Sequence, residues 1–340
     1  MSTKDGENVQ TTSKQWLASH TWTTHDWPRH KVAEATAAAG LSVAVVLPAL
    51  NEAATVGSIV ATIADDLCSG PNAFVDELVV VDSGSEDATA EVAAAAGARV
   101  VQRQDVLGHI PPEVGKGEAM WRGLAATTSD LVVFVDADLQ SFTSDYVTAL
   151  VGPLATDPEL QLVKAVYERP LVTGETVVPA GGGRVTELVA RPLINRFWPE
   201  LAAVVQPLAG EYAGRRSLLE SMPFPFGYGV EVALMVDTYE RYGLEAIGQV
   251  DLGVRVHRHH NDHGLGVMAA EILDTAMRRI PGVPQSYTDA PVLTQFERSP
   301  DGYEVRVRPL ATRERPPLSK VRAELPTPSP ATVGLNRRAS

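Results

Sequence analysis

The sequence predicts an α/β fold, a mainly parallel sheet flanked by helices, and two observations carry that prediction. Between residues 41 and 140 short apolar runs alternate with helical stretches, the order that strands joined by right-handed crossovers produce. Three of those runs end in polar motifs, which a parallel sheet gathers on its ligand-binding carboxyl edge.

The elements follow in order. Ser42–Leu47 (SVAVVL) is a continuous apolar run, as expected of a strand buried on both faces. A helix is expected over about Ala53–Leu67, a strand over Glu77–Val81 and a helix over about Asp87–Ala96. Arg99–Gln102 reads as a short strand, Gly117–Thr127 as a helix and Leu131–Val135 as another buried strand. The second half is less regular. Residues 170–183 read as a long flexible loop, helices are expected over 184–197, 230–242 and 265–279, and 244–257 should hold a strand ending at His257.

Asp136 and Asp138 follow VVFV directly. Carboxylates at i and i+2 on extended chain share a side and can hold a hard cation such as Mg²⁺ or Mn²⁺, which would act as a Lewis acid on a diphosphate leaving group. Pro48–Glu52 stands where a dinucleotide-binding protein would carry G-x-G-x-x-G, and the missing glycines argue against a dehydrogenase. Asn51 and Glu52 also suit a plain helix cap. Asp82–Asp87 (DSGSED) suits either a capped turn or nucleotide contacts. Gly115-Lys116-Gly117 opens a helix, where backbone can approach an anion and Lys116 can reach a phosphate. Gly181–Thr186 (GGGRVT) combines backbone amides, a guanidinium and a hydroxyl, a set that suits a phosphate or carboxylate. Glu231 opens a helix after Phe226-Gly227-Tyr228-Gly229; it suits a helix-start acid and equally a group orienting a hydroxyl. Four of the eight histidines lie in His257–His263, with spacing that matches no standard zinc pattern.

The net charge of −13 disfavours nucleic acid and anionic membranes as partners. An anionic substrate therefore needs a local basic pocket. Cys68 is the single cysteine, so no intrachain disulfide forms and a reducing, cytoplasmic setting fits. No signal peptide and no membrane-spanning run is evident.

With these residues assembled, the chain resembles the glucosyl-3-phosphoglycerate synthases of actinobacteria, retaining glycosyltransferases of the GT-A (Rossmann-like) fold related to mannosyl-3-phosphoglycerate synthases. The resemblance covers about residues 22–305. It rests on VVLPALNEAATVG (45–57), VVVDSGSEDAT (79–89), GKGEAMWRGLAAT (115–127), VVFVDADL (132–139), AGGGRVTEL (180–188), QPLAGEYAGRR (206–216), PFGYGVE (225–231) and VRVHR (254–258). It implies UDP-glucose as donor, 3-phosphoglycerate as acceptor, Mg²⁺ or Mn²⁺ as cofactor and a homodimer, with a link to methylglucose lipopolysaccharide synthesis. It would put Pro48, Ala49, Leu50, Glu52, Ser83, Lys116 and Asp136 at the donor, Asp138 and His257 on the metal, and Arg255 near the diphosphate. Gly183, Arg184 and Thr186 would bind the acceptor, and Glu231 would be the essential acid. His259 stands where the family pattern has an asparagine that helps bind acceptor. Competing readings are a GDP-mannose-dependent synthase, a nucleotidyltransferase and a non-catalytic nucleotide-sugar sensor. A nucleotidyltransferase would carry a glycine- and arginine/lysine-rich loop where this chain has PALNEA.

The expected organisation is a disordered arm over 1–20, one catalytic domain over 21–310 and a disordered tail over 311–340. Within the domain, 41–165 would bind the nucleotide-sugar and 166–265 the acceptor. Residues 266–310 would form a C-terminal helical extension with dimer contacts.

Overall fold

A computed structural model describes residues 13–168, 171–173, 176–178, 183–254, 262–283 and 291–324. The chain opens with helix α1 (residues 13–20), strand β1 (Thr21–Thr23), α2 (Arg29–Ala39), β2 (Val43–Ala49) and α3 (Val56–Leu67). It continues through β3 (Glu77–Asp82), α4 (Thr89–Ala95), β4 (Arg99–Gln102), α5 (Lys116–Ala126), β5 (Leu131–Phe134), α6 (Asp145–Thr156) and β6 (Leu162–Glu168). Strands β7 (Leu171–Thr173) and β8 (Thr176–Val178) follow, then a π-helical turn over Thr186–Ala190 that runs into α7 (Arg191–Phe197). Next come β9 (Tyr212–Arg215), α8 (Arg216–Ser221), β10 (Phe224–Pro225), α9 (Val230–Tyr242), β11 (Ile247–Val254) and α10 (Asp262–Arg278). The last elements are β12 (Val292–Ser299), β13 (Gly302–Pro309), β14 (Glu314–Arg315) and α11 (Leu318–Glu324).

Eight strands make the central sheet in the order β1-β11-β6-β9-β5-β2-β3-β4. The expected parallel block is β5-β2-β3-β4, with Val46 opposite Phe134 and Val79. A second parallel block, β1-β11-β6, joins it through β9, which is antiparallel to both β5 and β6. The sheet divides the apolar core in two. Val43, Val45 and Leu47 face a cluster with Val56, Ile59 and Ile63 of α3 and Val147 and Leu150 of α6. Val46, Val132 and Phe134 face the other way, toward Met120 and Leu124 of α5 and Val232 and Met235 of α9. Burial on both faces is why these strands read as unbroken apolar runs; truncating Leu47 to Ala should cost about 2–5 kcal/mol.

Four expectations are corrected. Residues 13–20 are a helix, not a disordered arm: Trp16 is buried and its indole Nε1–H donates to the Leu244 carbonyl at 3.2 Å. The stretch 170–183 is not a structureless loop, because β7 and β8 pair as an antiparallel ribbon. Among the described residues of the C-terminal extension only α10 is helical; β12 and β13 form a hairpin turned at Pro300-Asp301, driven by alternating β-branched and aromatic residues. Finally, 311–324 belongs to the fold. β14 pairs antiparallel with β10, and α11 packs on α8, with Leu318 and Val321 in the core and Arg322 on Glu220 at 2.6 Å. Among the described residues no helix is long and apolar enough to cross a membrane.

Candidate active site

The carboxyl ends of β2 and β3 are knitted together. Ser83 N–H donates to the Ala49 carbonyl at 2.9 Å, carrying Ser83 beside Pro48 and Leu50. Asn51 then takes a left-handed turn, φ 57, a conformation asparagine tolerates better than most residues. Its amide donates to Ser85 Oγ at 2.9 Å and its Oδ1 accepts from Glu86 N–H at 2.8 Å. Glu52 N–H donates to Thr89 Oγ1 at 2.8 Å, the structural use of the helix start. Asp82 accepts from Ser85 Oγ at 2.5 Å and from Gln102 Nε2 at 2.8 Å, which brings the end of β4 into line.

Lys116 begins α5 behind Gly115, whose φ of 133 suits glycine. A Cβ on Gly115 would overlap the Phe226 carbonyl, and one on Gly117 would overlap the Pro225 carbonyl. These glycines press the helix start onto the segment leading into α9, where Glu231 occupies the first turn. A Cβ on Gly227 or Gly229 would likewise strike Glu271 or Thr275 of α10. The two glycine pairs therefore bring α5, α9 and α10 together at one point.

That packing assembles a charged centre. Lys116 Nζ lies 2.6 Å from Asp136 Oδ1 and 2.8 Å from Glu231 Oε1. Burial alone would push the Lys116 ammonium down, but the two carboxylates overcome it and hold it well above its usual range. Gly210 packs over this centre; a Cβ there would overlap Asp136 Oδ2 and sit 2.6 Å from Lys116 Nζ. Burial raises the nearby Tyr212 phenol well above its ordinary value, and Glu231 adds to the shift.

A cleft of about 620 Å³ opens on this edge. Pro48, Ala49, Leu50, Ser83 and Lys116 line it, five of the seven expected donor residues. Asp136 reaches it through Lys116, while Glu52 supports the loop beneath. Sequence reasoning missed much of the far wall, Arg103, Glu271 and residues 309–313. Gly210 was also missed as a site residue, although PLAGEY already stood out as a distinctive motif.

Gly183, Arg184 and Thr186 are not among the residues lining this cleft. Gly183 has φ 82 and accepts from Glu187 N–H at 3.0 Å; Arg184 is exposed and Thr186 is buried at the start of the π-turn. That turn packs on α10, the helix that follows residues 255–261. Arg255, His257 and His259 lie outside the described residues. Asp138 follows Asp136 beyond β5, and Thr55 Oγ1 donates to the Ala137 carbonyl between them at 2.7 Å.

Among the described residues no three His, Cys, Asp or Glu side chains gather as a metal cage. Mg²⁺ commonly takes only one or two protein carboxylates and completes its shell with substrate phosphate and water. The hard oxygens of Asp136 and Asp138 fit that pattern.

A mainly parallel sheet with a lysine–carboxylate centre and an acidic pair at its carboxyl edge defines a nucleotide-sugar glycosyltransferase, and residues 44–206 match glycosyl transferase family 2. The chain is 49% identical over 309 residues to the glucosyl-3-phosphoglycerate synthase of Mycolicibacterium smegmatis, covering 91% of this chain and 98% of that one. The Mycobacterium tuberculosis glucosyl-3-phosphoglycerate synthase in complex with Mg²⁺ and UDP superposes with TM-score 0.78 at 45% identity, covering 89% and 99% of the two chains. The same enzyme in complex with Mn²⁺, UDP-glucose and phosphoglyceric acid gives TM-score 0.76 at 45% identity, covering 87% and 95%. The chain belongs to the glucosyl-3-phosphoglycerate synthase family.

Proposed function

We propose that this protein transfers glucose from UDP-glucose to the 2-hydroxyl of 3-phosphoglycerate, with retention at the anomeric carbon and dependence on Mg²⁺ or Mn²⁺. The observation that carries the reading is the convergence of Pro48, Ala49, Leu50, Ser83 and Lys116 on one cleft, with Lys116 joined to Asp136 and Glu231 at its floor.

In this reading the strand-end residues seat the UDP and Lys116 lies toward the diphosphate. Asp138 and His257 would hold the cation, Asp136 would serve the donor and Arg255 would serve the diphosphate. The bound cation supplies charge neutralisation to the departing UDP. Glu231 would orient a hydroxyl near the reacting carbon. Gly183, Arg184, Thr186 and His259 hold the acceptor's phosphate and carboxylate, the basic pocket that a chain of net charge −13 needs locally. The acceptor hydroxyl attacks from the face that UDP leaves, so the new bond keeps the configuration of the old one. Catalysis is then mostly positioning and electrostatics.

A cytoplasmic homodimer is part of the same proposal. Val292, Phe296, Tyr303, Val305 and Val307 are all exposed. The β12–β13 register puts them on one face of the hairpin, and an apolar face of this kind suits a second copy of the chain. Light scattering should give twice the chain mass, and Phe296→Asp with Val305→Asp should halve it.

The activity test is UDP release from UDP-glucose with Mg²⁺ and 3-phosphoglycerate, against a no-acceptor control and a GDP-mannose control. Acceptor-dependent release from UDP-glucose is expected; release from GDP-mannose alone would overturn the donor. Asp138→Ala should abolish metal-dependent turnover and leave the fold intact, and normal activity at limiting Mg²⁺ would remove Asp138 from the metal.

A further inference from the structure

The donor cleft has a wall that comes from the end of the chain. Pro309, Leu310, Ala311, Thr312 and Arg313 line it, facing the strand-end residues Pro48–Leu50 and Ser83. This segment is held along its length. Ala311 N–H donates to Glu271 Oε1 at 2.8 Å, and the Ala311 carbonyl accepts from Gly227 N–H at 3.1 Å. The Arg313 carbonyl accepts from Phe226 N–H at 2.9 Å, and the Arg313 guanidinium lies 5.4 Å from the Phe226 ring and 2.6 Å from Glu113. Two residues further on, Arg315 grips Glu118 at 2.6 Å. Between these anchors Thr312 is 1% exposed, and its hydroxyl has no hydrogen-bond partner among the described residues.

A buried hydroxyl left without a partner is unfavourable, and nothing in the packing requires one: valine has nearly the same shape. We propose that residues 309–313 are a working wall of the donor site and that Thr312 is a nucleotide-binding residue, its hydroxyl bonding the bound nucleoside diphosphate. The inference rests on the donor assignment made above and extends it past residue 310, into what the composition reads as tail. The backbone is fixed on both sides, so the only change binding requires here is a turn of the buried Thr312 side chain that presents its hydroxyl to the cleft.

The experiment is a calorimetric titration of UDP in the presence of Mg²⁺ into the full-length chain and its Thr312→Val and Thr312→Ser variants. Thr312→Val should weaken UDP about fivefold, the amount one neutral hydrogen bond carries. It should raise the UDP-glucose KM similarly, leave the 3-phosphoglycerate KM alone and not lower the melting temperature. Thr312→Ser should restore binding. Wild-type affinity in a well-folded Thr312→Val overturns this inference and leaves the donor assignment standing, whereas a wild-type chain that does not bind UDP brings down both. A measurement on the unaltered chain guards against a variant that fails to fold. UDP should slow deuterium uptake in a peptide spanning 309–316, and unchanged uptake at saturating UDP also counts against the wall.

Discussion

Lys116 and Glu118 stand two residues apart on the first turn of α5, and each sits in a three-charge cluster. Glu118 is fully buried and faces two arginines. Arg122 donates to Oε1 at 2.7 Å, and Arg315 donates to Oε2 at 2.6 Å and to Oε1 at 2.8 Å. Trp121 lies 5.3 Å from the Arg315 guanidinium, and Arg122 donates further to the backbone carbonyls of Val106, Leu107 and Ile110. Burial would raise the Glu118 carboxyl, but the arginines overcome it and hold it below the ordinary range. Lys116 reverses the arrangement, one cation between two carboxylates, with Asp138 nearby and a cleft alongside. The first cluster is saturated and closed; the second carries excess negative charge on an open edge. Burial and saturated hydrogen bonding mark a charge cluster that holds the fold, and a net-negative cluster beside an open cleft marks where a cation can be received.

Breaking each cluster should separate these roles. The largest effect belongs to Glu118→Ala, which leaves two buried guanidiniums unpaired and should remove about 3–5 kcal/mol of stability in urea unfolding. A melt close to wild type would show that the saturated cluster does not hold the fold. Glu231→Gln should do the opposite, with a near-normal melt and kcat lower by about 10²–10³, the range for losing one preorganised electrostatic group. Arg184→Ala should raise the acceptor KM about 10- to 100-fold, as expected for a charge-assisted hydrogen bond, and barely alter the donor KM; equal effects on both would take Arg184 out of the acceptor site. Gly210→Ala inserts a methyl between Asp136 and Lys116, two side-chain ends that can yield. Its melt should stay normal while kcat/KM for UDP-glucose falls about tenfold. The smallest effect concerns Glu77, another saturated carboxylate. Burial would raise it, but donors from Thr128 and Ser129 lower it below its ordinary 4.5. A depressed carboxyl contributes stability that is present above the unfolded value and lost as pH falls through the folded one. Glu77→Gln should therefore flatten the decline in stability below about pH 4.5.

The elements set by local sequence were legible. Residues 99–102 and 230–242 fold as expected to the residue, and three polar strand ends pointed to one edge. The rest depends on long-range pairing. Strand β9 is four residues, Tyr-Ala-Gly-Arg, with no alternation to mark it; only β5 and β6 on either side make it a strand. Thr312 and Arg315 look like a polar, proline-rich tail until Glu118 and Phe226 are placed beside them. The same holds for Gly210, whose importance lies in what a methyl there would displace. The segment proposed to hold the acceptor was half legible: the helix over 184–197 is present, but its first turns are wound as a π-turn, a local irregularity that helices often carry at functional sites.

Strand β9 also bears on how the chain assembles. The block β2 to β5 is contiguous in sequence, so its contacts close short loops and can form early in synthesis. The second block cannot join until β9 arrives between β5 and β6, nearly eighty residues after β5. The far wall of the cleft waits for β14 and Arg315. A chain still emerging from the ribosome would thus hold the β2–β5 edge of the cleft well before the wall that closes it.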